Sequence, residues 1–146
     1  QGWKVNMTRT TDRDVTYAGS PDLMELQARA DVANNNNSDL FVSVHCNASV
    51  SSASRGSAIY WYKPEDRALA QYLDVLDGRL GFEQDGTIQN SFAVLRLTNM
   101  PAVLVETAFL TNYEEGRLLA NPEIRQKVAE LLAEALGKYM AAARRK

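Results

Sequence analysis

The four residues from Ala102 to Val105 are all aliphatic, and this run constrains the fold more than any other feature of the sequence. A strand that is apolar at every position is buried on both faces, which is typical of parallel or mixed sheets covered by helices. Leu40 to Val44 and Ser57 to Tyr62 are two further strand candidates rich in apolar residues. The sequence therefore predicts an α/β fold with a mixed, mostly parallel sheet flanked by helices on both faces.

Helices are predicted between and after these strands, at residues 23–34, 64–80, 113–119 and 122–139. Asp22 is the expected N-cap of the first helix, with Glu25 as its capping-box partner, and Asn34 to Asn37 are expected to end it. Asn121 is the expected N-cap of the last helix, with Pro122 at its first position. The remaining segments are predicted to be a short strand at 3–8, loops at 10–22, 47–54 and 81–91, and a short apolar stretch at 92–95.

The composition is that of an ordinary globular chain, with 45% hydrophobic and 23% charged residues among 146. This length fits a single domain, and we expect residues 1–146 to form one. A formal net charge of −2 argues against a nucleic-acid partner, and the basic cluster at Arg144, Arg145 and Lys146 is expected to be solvated. No apolar run is long enough to span a membrane, and the single cysteine excludes an internal disulfide. We expect a monomer.

Two of the strand candidates run directly into a residue that can carry chemistry. His45 follows the strand at 40–44, and Glu106 follows the strand at 102–105. Because ligands in open α/β sheets bind beyond the C-terminal ends of the strands, both residues are site candidates. His45 is either a hydrogen-bonded structural residue or a metal ligand or general base. Glu106 is either a base whose pKa is raised by burial, or the partner of an arginine such as Arg96 or Arg29.

The other residues with reactive or acidic side chains are given structural roles. Cys46 directly follows His45, so strand alternation places the two side chains on opposite faces of the sheet, and Cys46 is predicted to be a small buried thiol. Asp12, Asp14 and Glu25 have no spacing that would place them around one metal ion with His45. They are expected to be solvated loop and capping residues.

Two longer segments and one short one carry a family resemblance. The first is LQARADVANNNNSDLFVSVHCNA, which contains a leucine, an arginine, an Ala-Asn pair and a strand ending in SxHxNA. The second is FAVLRLTNMPAVLVETAFLTNYEE, which contains VLR, PAxLVE and FLxN, and the early TRTTD fits a TRxxD pattern. In this order the motifs resemble the zinc-dependent N-acetylmuramoyl-L-alanine amidases of type 3, from about Val5 to Tyr139. The matching positions are Arg9, Asp12, Leu26, Arg29, Ala33, Asn34, Ser43 to Ala48, Val94 to Arg96, Pro101 to Glu106 and Phe109 to Asn112.

This resemblance implies a mixed sheet surrounded by helices, a zinc (Zn2+) cofactor and peptidoglycan as the substrate. The implied reaction is hydrolysis of the amide between N-acetylmuramic acid and the L-alanine of the stem peptide. His45 would be a zinc ligand and Glu106 the catalytic carboxylate that accepts a proton from zinc-activated water. Asn47 is the candidate for substrate binding. The resemblance also implies an exported protein that acts in the periplasm, the cell wall or outside the cell.

The sequence departs from the family pattern at its start. The family supplies one zinc-binding histidine from a GHGG-type loop and a glutamate from the next helix, both before the segment matched by Val5 to Arg9. These 146 residues contain a single histidine and no such loop. A catalytic zinc usually takes three protein ligands. We therefore expect a catalytic domain that lacks the family's first strand and helix and, by itself, binds zinc weakly and hydrolyses little substrate.

Two other interpretations stay open. The first is a degenerate or truncated relative that binds the cell wall or a regulatory partner without catalysis; the absent ligands favour it, whereas Glu106 counts against it. The second is a metal-independent hydrolase that uses Cys46 and His45, although neighbouring strand positions face apart and no nucleophile-elbow pattern is present. Zinc content separates the first from an amidase, and alkylation of Cys46 tests the second.

Overall fold

The computed structural model describes residues 2–76 and 80–144. Its elements are α1 (Asp22–Asn35), β1 (Phe41–Asn47), β2 (Ser57–Trp61), α2 (Asp66–Leu73), β3 (Gln84–Gln89), α3 (Ala93–Arg96), β4 (Ala102–Phe109), α4 (Tyr113–Ala120) and α5 (Pro122–Ala143). The strands form one sheet in the order β1-β4-β2-β3. β1 and β4 are parallel, β2 and β3 are parallel, and β2 and β4 are antiparallel, which confirms the predicted mixed, mostly parallel sheet.

The aliphatic run in β4 is buried on both faces of the sheet, as its composition predicts. Val103 and Val105 belong to a core cluster that includes side chains of α2, α4 and α5. Ala102 and Leu104 alternate with them and belong to a second cluster with side chains of α1 and α3. Full burial of an aliphatic side chain of this size stabilises the fold by roughly 1.5–3 kcal/mol. Because its residues belong to both core clusters, β4 contributes to the packing on both faces of the sheet.

The last helix, α5, follows its predicted pattern closely. Its N-cap is Asn121, whose side chain accepts a hydrogen bond from the backbone N–H of Glu123 at 2.9 Å. The predicted apolar stripe faces the larger core cluster, and Val128, Leu132 and Ala135 are its buried members. Within the described part of the chain, no helix combines the length and apolar character that a membrane crossing requires.

The start of α1 differs from the prediction. The N-cap is Pro21, and no side chain caps the helix, so the expected capping box of Asp22 and Glu25 is wrong. Glu25 is buried, and its carboxylate accepts hydrogen bonds from the backbone N–H groups of Val15 and Thr16. The loop before the helix folds back over the first turn, and this long-range contact outweighs the local capping pattern. The helix ends among the asparagines as predicted.

Two local predictions fail because sheet pairing depends on distant residues. The segment 3–8 forms no strand in the described chain, and Val5 and Met7 are 70% and 63% exposed. Conversely, the predicted loop 81–91 contains the strand β3, whose sequence QDGTIQ has no apolar pattern. Backbone hydrogen bonds to β2 hold it at the edge of the sheet.

The second helix is shorter than its apolar periodicity indicates. The predicted helix covers 64–80, whereas α2 covers Asp66–Leu73, and residues 77–79 lie outside the described part of the chain. Leu76 is nevertheless buried in the core cluster as an irregular segment. Arg145 and Lys146 of the predicted basic cluster also lie outside the described residues, and Arg144 is exposed as expected.

Candidate functional site

His45 and Glu106 lie directly opposite each other in the parallel ladder between β1 and β4. Neighbouring strands lie about 4.8 Å apart, and paired residues project from the same face of a sheet, so both side chains enter the same space. This is the face covered by α1 and α3, and the pair lies towards the C-terminal ends of both strands. The sheet thus brings together the two residues that the sequence predicts as site candidates.

His45 is half-buried, and one of its ring nitrogens has a defined partner. Nε2 lies 2.9 Å from Oγ of Ser43, two residues earlier on the same face of β1. Burial lowers the pKa of the imidazole, and the positive charges of Arg29 and Arg9 lower this pKa further. The neutral form of histidine is therefore favoured, which is the form that binds metal ions.

Glu106 has no charged partner among the described residues. Its Oε2 is buried and forms no hydrogen bond, and burial raises the pKa of the carboxyl group. The expected alternative of an ion pair with arginine is wrong, because Arg29 contacts Glu25 at 3.0 Å and Arg96 donates to the carbonyl of Ser91. A carboxylate with a raised pKa and an unused oxygen is suited to accept and return a proton near neutral pH.

The end of the β1–β4 ladder contains an irregularity that holds this geometry. The register is regular up to His45 and Glu106, and then Asn47 pairs with Phe109, so β4 carries an extra residue. The buried Thr107 bridges the strands there, because its hydroxyl donates to the carbonyl oxygen of His45 at 3.0 Å. Sequence reasoning missed this role, for which the only local signal is the polar residue directly after Glu106.

Comparison with known proteins identifies the family. The sequence model of the type 3 N-acetylmuramoyl-L-alanine amidases matches residues 1–138. The chain belongs to this amidase family. Among solved structures, the catalytic domain of the amidase CwlV from Bacillus (Paenibacillus) polymyxa var. colistinus is 33% identical, with a TM-score of 0.75 over 80% of this chain and 65% of that chain.

Curated relatives of this amidase chain carry cell-wall names. The probable cell wall amidase LytH of Staphylococcus saprophyticus is 32% identical over 140 residues, which is 95% of this chain and 43% of that protein. The protein of the same name from Staphylococcus aureus is 32% identical over 143 residues, which is 97% of this chain and 44% of that protein. The chain therefore spans less than half the length of these relatives.

Amidases of this family are generally zinc-dependent, so the site can be compared with what zinc requires. His45 offers a neutral imidazole whose Nδ1 has no hydrogen-bond partner among the described residues, since the bond to Ser43 uses Nε2. The unpartnered oxygen of Glu106 is the other group of matching chemistry. No group of three or more histidine, cysteine, aspartate or glutamate side chains lies together in the described ranges. The described residues fit one part of a zinc site and do not complete it.

The residues beside His45 have different environments from those expected. Cys46 is exposed, so the prediction of a buried thiol is wrong; Val44, two residues earlier on the same face of β1, is also 57% exposed. Its sulfur contacts the hydroxyl of Thr107 at 3.3 Å.

Asn47 is half-buried, and its side-chain oxygen accepts from the backbone N–H of Ala48 at 2.8 Å. Asp12 and Asp14 are exposed loop residues as predicted, whereas Glu25 is buried.

Glu115 is a second buried carboxylate near the site, which the sequence did not reveal. Its two oxygens accept hydrogen bonds from the backbone N–H of Gly56 at 2.9 Å and of Phe109 at 2.8 Å. Asn112 caps the same helix and also donates to the carbonyl of Ser52. These bonds join the serine-rich loop to the end of β4, directly after the irregularity that follows Glu106.

An aromatic side chain borders the carboxylate on the side of β2. Tyr60 packs edge to face against Phe92, with the ring centroids 5.0 Å apart. Burial raises the pKa of the Tyr60 hydroxyl, and the charges of Glu106 and Asp85 raise this pKa further. The residue paired with Glu106 on β2 is Ala58, whose side chain is small, and Tyr60 lies two residues further along on the same face.

Proposed function

We propose that this chain is the catalytic part of a peptidoglycan hydrolase that cleaves the amide between N-acetylmuramic acid and the L-alanine of the stem peptide. The observation that carries the proposal is the pairing of His45 with Glu106 on one face of the sheet, with one oxygen of Glu106 buried and unbonded. A binding domain has no need of an uncompensated buried carboxylate, because desolvating it destabilises the fold. The family membership and the cell-wall names of the relatives point to the same substrate.

The proposed roles follow from the environment of each side chain. His45 is a zinc ligand, held in a neutral form and oriented by Ser43. Zinc, when bound, lowers the pKa of water and polarises the amide carbonyl. Glu106 accepts the proton of the attacking water and delivers it to the leaving amine, which its raised pKa favours. Asn47 follows His45 at the same strand end, and its amide group is the candidate contact to the substrate.

Residues 1–146 are proposed to form a single catalytic domain whose metal site needs further ligands. The described residues supply one histidine and one free carboxylate oxygen, whereas a catalytic zinc takes three protein ligands. The first strand and helix of the family are the proposed source of the others. On this basis the chain by itself binds zinc weakly. The protein acts where peptidoglycan lies, in the periplasm, the cell wall or outside the cell, and is proposed to be monomeric.

The direct test is the zinc content of the purified chain, measured by elemental analysis beside the variant His45→Ala. Zinc that binds above the background of the variant, with an affinity weaker than that of a complete three-ligand site, supports His45 as a ligand. Equal zinc content in both proteins contradicts that role. Hydrolysis of purified peptidoglycan by the zinc-supplemented chain, lost in Glu106→Gln, supports the reaction, and hydrolysis that persists in Glu106→Gln contradicts the role of Glu106.

A second candidate function is a non-catalytic domain that binds the cell wall or a regulatory partner. The observation that favours it is that the described residues do not assemble three metal ligands. It predicts that the chain sediments with purified peptidoglycan in the presence of a chelator, and that Glu106→Gln sediments equally well. The amidase proposal predicts instead that zinc and Glu106 are both required for release of stem peptides.

A further inference from the structure

The row of paired residues that contains His45 and Glu106 continues across the whole sheet. Glu106 pairs with Ala58 on β2, and Ala58 pairs with Gly86 on β3, so the row reaches the edge strand opposite β1. Ala58 contributes one methyl group to this row, and Gly86 contributes no side chain. Glu106 therefore has no large neighbour in its own row on the side of β2.

The next row on the same face supplies large side chains. Tyr60 pairs with Leu104 on β4 and with Ile88 on β3, two residues away from the row of Glu106. Tyr60 is thus a diagonal neighbour of Glu106, at about 7–8 Å, a separation that an aromatic side chain can bridge. The edge of one ring against the face of the other, with centroids 5.0 Å apart, holds Tyr60 against Phe92. Ile88 and Phe92 are 36% and 37% exposed, so this apolar row meets solvent.

A second carboxylate lies near the Tyr60 hydroxyl. Asp85 is the extra residue where β3 departs from regular pairing with β2, and it is exposed. Its carboxyl group lies against the backbone of Gly56, where a β-carbon would approach it within 2.9 Å. Burial raises the pKa of the Tyr60 hydroxyl, and the charges of Glu106 and Asp85, both negative, raise this pKa further. Within the described ranges, neither the hydroxyl nor the Asp85 carboxylate forms a hydrogen bond.

The chemistry of this corner suits a sugar ring. A sugar presents apolar C–H groups that pack on aromatic rings, and hydroxyl groups that donate hydrogen bonds to carboxylates and to tyrosine. We propose that Tyr60, Phe92 and Asp85 form a subsite beside Glu106 that binds the N-acetylmuramic acid ring of the substrate. This inference rests on the proposed function, which supplies the substrate. The amide-linked sugar is uncharged, whereas the stem peptide carries carboxylates that the two acidic residues would repel.

The test compares two ligands that differ only by the sugar ring. N-acetylmuramoyl-L-alanyl-D-isoglutamine carries the ring, and D-lactoyl-L-alanyl-D-isoglutamine keeps the lactoyl group and the dipeptide without it. Both have the same charge. Binding to the metal-free chain is measured by NMR titration, so no turnover is needed. We expect the sugar ligand to bind about tenfold more tightly, the net value of one charge-assisted hydrogen bond, and to shift the resonances of Tyr60 and Phe92.

Variants locate the source of this preference. Tyr60→Leu is expected to reduce it to less than about twofold, and Asp85→Asn to lower it by about threefold, because an amide accepts hydrogen bonds more weakly than a carboxylate. Tyr60 also packs against a core cluster, so the exposed Asp85 is the position that least disturbs folding. Tyr72→Leu is the matched control, because Tyr72 forms an edge-to-face pair with Tyr139 on the helices that cover the other face of the sheet.

Three outcomes would overturn the subsite. They are equal affinity for the two ligands, no measurable binding of either ligand, and a preference that Tyr72→Leu reduces as much as Asp85→Asn does. The proposed function fails by different results, namely the absence of hydrolysis or its persistence in Glu106→Gln. A preference for the sugar ligand without any hydrolysis would support the subsite and contradict the proposed function.

Discussion

Glu106 on β4 is the direct partner of His45 on β1, and one oxygen of its carboxylate is buried without a hydrogen bond. Leaving a polar atom in this state destabilises the fold, because water solvates it better. The arrangement therefore suggests that stability is sacrificed for a chemical role at this position.

Glu106→Gln is expected to abolish the weak peptide release from peptidoglycan that the zinc-supplemented chain shows, since general acid–base catalysis usually contributes about 10²- to 10⁴-fold. The same variant should unfold at an equal or slightly higher temperature at pH 7, since the burial that raises the pKa of Glu106 disfavours its ionised form. Above the raised pKa of Glu106 the unmodified chain holds a buried charge, so the variant is the more stable protein there. Below pH 4.5, the ordinary pKa of glutamate, Glu106 is protonated in both the folded and the unfolded chain, and the difference in stability disappears. Glu114→Gln, an exposed glutamate, is the control; a catalytic rate unaffected by Glu106→Gln contradicts the assignment.

Ser43→Ala is expected to weaken zinc binding by about tenfold or more, because outer partners fix the orientation of ligating histidines. The hydroxyl of Ser43 is the group in contact with Nε2 of His45. Zinc affinity is measured by competition with a chromogenic chelator. Ser49→Ala, in the neighbouring loop, is the control and should leave affinity unchanged. If Ser43→Ala also leaves it unchanged, Ser43 does not orient the ligand.

Glu115→Gln is expected to destabilise the domain by about 2–3 kcal/mol, because its amide NH2 would face a backbone N–H in place of an acceptor. In the structure both carboxylate oxygens accept such bonds, from Gly56 and Phe109, and the side chain is fully buried. Urea unfolding followed by circular dichroism measures the change. The adjacent exposed Glu114→Gln should shift the free energy of unfolding by less than about 0.5 kcal/mol, and equal effects of the two variants would contradict the structural role of the Glu115 carboxylate.

Glu25 makes the stability of the domain depend on pH in the acid range. The pKa of the Glu25 carboxyl group is lowered to about 2. The main cause is the hydrogen bond from the backbone N–H of Val15; bonds from Thr16 and Arg29 lower the pKa further, and burial opposes them. Because the pKa of Glu25 is lower in the folded chain than in the unfolded chain, its ionised carboxylate stabilises the fold at every pH above 4.5, the unfolded pKa. This contribution is lost as the pH falls towards 2, the folded pKa.

Glu25→Gln should therefore be less stable than the unmodified chain at pH 6, with the difference shrinking steadily between pH 4.5 and pH 2. Thermal unfolding at several pH values measures it. Asp22→Asn is the matched control, because Asp22 is an exposed acid in the same helical turn and makes no capping bond. A constant difference across this range would contradict the role of the Glu25 charge.

Cys46 tests the metal-independent alternative. Because Cys46 is exposed, iodoacetamide should label it completely in the folded protein, without denaturant. The amidase proposal expects Cys46→Ser to retain zinc binding and hydrolysis within about twofold, since its contact is to Thr107 and not to His45. Hydrolysis that survives zinc removal and disappears on labelling would instead establish a cysteine nucleophile.

Part of this structure could be read from local sequence windows. The aliphatic run of β4, the stripe of α5 and the cap at Asn121 all follow from periodicity and turn chemistry within a few residues. The predicted strands stop directly before His45 and Glu106, whereas in the structure both residues lie inside their strands, which continue to Asn47 and Phe109. The strand β3 could not be predicted, because its polar sequence pairs through the backbone with a partner that only the folded sheet provides.

By itself the sequence determined the fold class and the core helices, and it made His45 and Glu106 the site candidates. The tertiary structure alone decided that His45 and Glu106 stand in register, that Glu25 and Glu115 are buried acceptors, and that Cys46 is exposed. The physical reason is the range of the interactions. Hydrophobic periodicity acts over neighbouring turns of the chain, whereas strand register and the satisfaction of a buried carboxylate depend on segments that meet only after folding.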